Sequence, residues 1–179
     1  MTKRNIVPTG EEIAFGEHEI IVSKTDTKGR ILYANDVFCK VAEMQTNDVI
    51  GQPHSIIRHP DMPRAVFKLL WDKIAAGEEV FAYVKNMSFT GKYYWVFAHV
   101  TPSFDHAGRI SGYHSNRRKP KPVALEAIKP IYKALLDEEK RHKNRTDGLA
   151  ASYKLLEDTL AHAGQTYSEF VWGAGGAHV

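Results

Sequence analysis

The sequence predicts an α+β domain: a five-stranded antiparallel sheet with short helices between its second and third strands, and helices beyond its last. Three observations carry this. Two short β-rich runs open the ordered region, and three longer ones close it, with helical patterns between. The later runs are joined by Thr90-Gly91-Lys92 and Asp105-His106-Ala107-Gly108, connections too short for the crossover that parallel neighbours need. At 179 residues, 43% hydrophobic and 25% charged, the chain has ordinary globular composition and enough length for one domain plus an extension.

Residues 1–17 carry Pro8, Gly10 and Gly16 without periodicity and read as an arm or cap. Glu19–Asp26 and Ile31–Ala34 form the first predicted hairpin, with Gly29 free to take the positive φ of a tight turn. Asn35-Asp36 caps a short helix whose apolar side holds Val37, Phe38 and Val41. Two prolines, Pro60 and Pro63, rigidify the irregular segment from His54 onward. Pro63 then opens a helix carrying Val66, Phe67, Leu70, Trp71 and Ile74 on one face, stopped at Gly77. Strands follow at Val80–Met87, Tyr93–Thr101 and Arg109–Arg117. Lys119-Pro120-Lys121-Pro122 breaks the sheet. Helical patterns run over Val123–Arg141, with a kink or restart at Pro130, and over Leu149–Ala163. Each bears an apolar stripe, Leu125/Ile128/Tyr132/Leu135/Leu136 and Leu149/Tyr153/Leu156/Leu160, that must bury within the chain or against a second one. The tail from Gly173 to Val179 reads as frayed. The expected division is 1–17 arm, 18–118 sheet domain, 119–179 helical extension for signalling or dimerisation.

Composition excludes several function classes. A formal charge of +3 is too mild to make nucleic acid the main partner. The basic runs Arg117-Arg118-Lys119-Lys121 and Lys140–Arg145 read as solvated faces, the first placed to dock a partner. Cys39 alone rules out a disulfide framework within the chain, and the histidine spacings match no standard zinc pattern, so no metal site is expected. No apolar stretch suits a secretory signal or a membrane span, which leads to the expectation of a cytoplasmic protein without membrane insertion. No nucleophile with an oriented base and no phosphate-cradling glycine loop occur, so no enzyme is expected.

The segment Arg58-His59-Pro60-Asp61-Met62-Pro63 admits two readings: a rigid turn with an Arg58–Asp61 surface pair, or an anion-binding cluster. Trp71 fits core or pocket wall. Asn86 is a polar residue within a largely apolar strand, where its amide needs partners, either a ligand or sheet backbone. If Val96, Ala98 and Val100 face inward, His99 faces out, and His114 becomes the pocket candidate on the last strand.

Gly51-Gln52-Pro53-His54, Ile57-Arg58-His59-Pro60-Asp61-Met62-Pro63, Val84-Lys85-Asn86, Tyr94-Trp95-Val96, Gly112-Tyr113 and Ile128–Leu135 together resemble the PAS domain of bacterial aerotaxis receptors, over roughly residues 18–136. The resemblance implies a PAS fold holding FAD non-covalently, with Arg58, His59, Asp61, Trp71, Asn86 and His114 as the cofactor-contacting residues. It further implies a bacterial redox or oxygen sensor, relaying its signal in chemotaxis or aerotaxis to a chemoreceptor or other signalling protein. A homodimer through the C-terminal helices is one form of that relay. Two alternatives stay open: a haem-binding PAS gas sensor with His114 or His59 as ligand, and a cofactor-free interaction or dimerisation module. Met87-Ser88-Phe89-Thr90 departs from the basic stretch of those receptors, and no membrane anchor or signalling coiled coil follows in this sequence.

Overall fold

A computed structural model of the chain describes residues 6–175. Strands β1 (Ile21–Thr25), β2 (Ile31–Ala34), β3 (Val80–Met87), β4 (Tyr93–Phe104) and β5 (Ile110–Arg118) form one sheet in the order β2-β1-β5-β4-β3. Every adjacent pair is antiparallel. Between β2 and β3 lie α1 (Asp36–Ala42), α2 (Thr46–Val49), a 3-10 turn (His54–Ile57) and α3 (Arg64–Ala75). Beyond β5 come α4 (Pro122–Arg141), α5 (Arg145–His162) and α6 (Tyr167–Ala174).

Local sequence accounts for most of these boundaries. Gly29 takes φ +75° in the first hairpin and Gly91 takes +91° in the β3–β4 turn, conformations that cost a side chain dearly. The Asn35 Oδ1 accepts the Phe38 N–H at 3.0 Å and the Val22 N–H at 3.0 Å, so one side chain caps α1 and ties it to β1. The described part of the arm is more than a cap. It runs beside β4, exchanging Ile13 N–H to Tyr93 C=O and Tyr93 N–H to Glu11 C=O, both at 2.8 Å, and seats Phe15 edge-on against buried Tyr94.

The sheet has two unlike faces. Alternation and pairing place Ala82, Val84, Asn86, Val96, Ala98 and Val100 on the inner face, toward α1 and α3. The outer face of β3 and β4 carries Phe81, Tyr83, Trp95 and Phe97. It is covered by α4 and α6: Trp95 packs on Tyr132, whose hydroxyl donates to the Tyr83 carbonyl at 2.8 Å, and Trp172 packs on Phe81 and Phe97. α5 then lies along α3, closing a wrap around the β3 edge.

The C-terminal region decides between readings left open for α4 and α5 and corrects one expectation. α4 runs through Pro130 without a restart, and Pro130 and Glu126 are both exposed. The apolar stripes of α4 and α5 are buried within the chain at Ile128, Tyr132, Leu135 and Leu156. Gly173 and Ala174 belong to α6, whose start is fixed by a reciprocal Thr166–Glu169 capping box; residues 176–179 of the expected frayed tail lie outside the described residues.

Candidate functional site

The inner sheet face and α3 enclose a cavity of about 450 Å³, within the range of small-molecule and cofactor sites. Its walls are apolar: Leu70, Trp71 and Ile74 from α3 face Val84, Ala98 and Val100 from the sheet. Polar groups converge from β1, β3 and β5, supplied by Ser23, Thr25, Asn86, Ser115 and Arg117. The solvent side is cationic, with exposed Lys28 and Lys68 and half-buried Arg58 and Arg64, and Leu149 of α5 reaches its rim.

Three of the residues predicted from sequence line this cavity. Arg58 does so with its guanidinium 4.1 Å from the Phe67 ring centroid and one Nη2–H···O=C contact to Met62 at 3.4 Å. Trp71 crosses the ring of Tyr113 edge-on at 5.5 Å and presses against Gly29, where a Cβ would stand 2.9 Å from the indole. Asn86 is 3% exposed, and its amide has no side-chain partner among the described residues.

The other three lie elsewhere. His59 is buried behind the turn; its Nδ1 accepts the Asp61 N–H at 3.0 Å and its ring meets Tyr93. Asp61 points outward and pairs with Lys85 at 2.9 Å rather than with Arg58. It does not cap α3 either: the first N–H groups of that helix, on Arg64 and Ala65, donate to Glu139 Oε1 of α4 at 2.6 and 3.2 Å, and Arg64 Nε donates to Oε2 at 2.8 Å. His114 corrects the prediction for β5. Ser115 is the cross-strand partner of inward Val100, so the next residue back, His114, faces out with Thr101 and bonds Asn116 at 3.1 Å.

The same register brings in Arg117, assigned from sequence to a solvated basic run. It is 4% exposed, and its Nη2 donates to Ser23 Oγ at 2.9 Å and to His54 Nε2 at 2.5 Å. Because the arginine can only donate, His54 Nε2 accepts and the ring proton sits on Nδ1. Period-two counting from Tyr113 through Ser115 would have turned Arg117 inward; its position within a run of basic residues concealed that signal.

Burial and the neighbouring Arg117 charge lower the His54 pKa to about 3, and burial with nearby Lys85 lowers that of His59 to about 4. Both rings are therefore neutral at pH 7. Below about pH 6.5 the unfolded chain takes up protons that the folded chain refuses, so stability falls as pH drops toward those values. Denaturant titrations between about pH 7.5 and 5 should show a loss approaching roughly 1.4 kcal/mol per pH unit per histidine at the acid end. His59→Gln should remove about half of that slope; an unchanged slope would show that His59 is not held neutral.

Residues 20–115 match the family model described as PAS fold. Over 127 residues, 71% of the chain, it is 37% identical to the aerotaxis receptor of Escherichia coli (strain K12), and over 99 residues 22% identical to the nitrogen fixation regulatory protein of Klebsiella oxytoca. It spans 25% and 20% of the lengths of those two proteins. In fold it is similar to the light-state blue-light photoreceptor Aureochrome1 LOV, at TM-score 0.52 and 22% identity over 68% of this chain and 91% of that one. A light-oxygen-voltage domain studied with a flavin analogue matches at TM-score 0.52 and 18% identity, over 69% of this chain and 87% of that one. Among the described residues no helix is long and apolar enough to cross a membrane. The antiparallel sheet, the helices packed on its inner face and the matched family model together make this chain a member of the PAS family, related in sequence to a sensory receptor.

Proposed function

We propose that the chain is a flavin-binding redox or oxygen sensor, with FAD in the cavity between the sheet and α3, that relays the flavin's state to a signalling partner. The observation that carries this reading is the cavity's chemistry. A flat ring system needs apolar walls and edge-on hydrogen bonding, and the site sets Leu70, Ile74, Val84 and Val100 around the buried amide of Asn86 and the Oγ of Ser115, which has no hydrogen-bond partner among the described residues. A dinucleotide adds a pyrophosphate, and Arg58, Lys28 and Lys68 supply cations on the solvent side. The identity with the aerotaxis receptor supports the same reading and an aerotaxis-type relay. When bound, the flavin supplies reversible electron uptake; the protein orients it, keeps water from it and responds to its charge. His59 and Asp61 act as buttresses of the Arg58 turn, and the helices 122–174 carry the output.

The haem alternative loses its proposed ligands from the cavity wall, since His114 faces out and His59 lies behind the turn. Ultraviolet–visible spectra of the protein, as purified and after incubation with FAD, should show paired flavin bands that bleach with dithionite. Asn86→Leu should weaken FAD retention by roughly ten- to a hundredfold, the loss of one buried hydrogen bond. A protein that stays colourless with FAD, or binds it equally well in both forms, would overturn the assignment.

A further inference from the structure

Among the described residues no carboxylate pairs with Arg117. Buried cations are ordinarily paired with carboxylates, because an isolated charge in a low-dielectric interior is costly. Arg117 instead meets neutral partners: Ser23 from β1, His54 from the 3-10 turn, the face of Phe38 from α1 at 5.8 Å, and Tyr94 of β4 nearby. Among the described residues its Nη1 is enclosed without a hydrogen-bond partner, as is the Oγ of Ser115 two residues before it on the cavity wall. The groups facing it that titrate are His54 and Tyr94; burial keeps His54 neutral as a base and Tyr94 neutral as an acid. Burial lowers the Arg117 pKa only to about 10, so the guanidinium stays charged at neutral pH.

We infer that Arg117 is the counter-cation for a negative charge that the ligand gains inside the cavity, so that it sets the reduction potential of the bound flavin. The inference rests on the flavin reading. Oxidised flavin is a neutral ring. Two electrons, delivered in the test by dithionite, and one proton convert it to a singly negative ring; a second proton would make it neutral again. A fixed cation beside the ring favours the one-proton product and binds it more tightly than the oxidised form. Ser115 supplies a hydroxyl donor on the same wall without adding charge. Ser23 and His54 orient the guanidinium and compete for none of its charge.

The test is a reductive titration of the FAD-loaded chain against reference dyes between about pH 5.5 and 8, for the wild type, Arg117→Met and Arg117→Lys. Arg117→Met should cut the preference for reduced over oxidised flavin by about a hundredfold, lowering the two-electron potential by about 59 mV, while Arg117→Lys should restore most of it. The wild-type potential should fall by about 30 mV per pH unit down to the acid end, the slope for one proton per two electrons. That of Arg117→Met should steepen toward about 59 mV per unit there, as a second proton follows. A change in preference of less than about twofold with an unaltered slope would overturn the role of Arg117. Should Arg117→Met not fold or not hold FAD, the wild-type slope decides alone: about 59 mV per unit at the acid end overturns the inference and about 30 supports it. Failure of the flavin reading is seen before any titration, as a chain that takes up no FAD, and it removes this inference with it; failure of Arg117 alone leaves the flavin bound and its potential unmoved.

Discussion

Replacing Glu139 with Ala is expected to lower the thermal midpoint by roughly 6–12 °C, the equivalent of about 3 kcal/mol in a chain of this size. The reason lies in how α3 begins. Its N-cap position is Pro63, which offers no side-chain acceptor, and the orphan N–H groups of Arg64 and Ala65 are met by a carboxylate from α4. That carboxylate is 8% exposed and also binds the Arg64 side chain, so its removal leaves a partly buried cation and two N–H groups unmet. Gln at this position keeps an acceptor without the charge and should recover about half the loss. A double-mutant cycle with Arg64→Ala separates capping from ion pairing: coupling near zero would make Glu139 a cap alone, whereas about 1 kcal/mol or more assigns the pair its own share. Since Arg64 lines the cavity and Glu139 belongs to α4, this contact joins the site directly to the helices proposed to carry its output.

Gly112→Ala should destabilise by about 3 kcal/mol, at the upper end of overpacking, with loss of the cavity's shape before loss of the sheet. A Cβ there would stand 2.2 Å from the Thr25 carbonyl oxygen and 3.3 Å from its carbon, both backbone atoms that no rotamer change can move away. The clash falls where Thr25 of β1 pairs with Tyr113 of β5, and both residues line the cavity. The strands must part there, and Tyr113 would lose its place beneath Trp71. Thermal melts and FAD affinity, measured together, check this. An alanine variant as stable as the wild type and equally able to take up FAD would show that the strands separate at no cost.

Part of this architecture is written in short stretches of sequence. Gly29 in its turn, Asn35 ahead of α1, the apolar face of α3 and the β-rich runs of β3 to β5 each act through neighbours a few residues away, so element order and fold class were legible. Arg58, Trp71 and Asn86, singled out through the resemblance to a family, line the cavity, whereas His59 and Asp61 of the same block do not. What escaped depends on partners distant in the chain. Period-two alternation says that His114 and Ser115 face opposite ways, but only pairing with Val100 on β4 says which of them faces in. The same phase buries Arg117 against Ser23, 94 residues earlier, although composition groups it with solvated lysines. Asp61 stands near the start of α3 and looks like its cap, yet the acceptor comes from Glu139, 75 residues beyond Arg64. Local signals choose among helix, strand and turn because those choices cost and return free energy within a few residues. The facing of a strand, the burial of a charge and the capping of a helix from afar are settled only when distant segments meet, and in this chain those meetings built the polar side of the cavity.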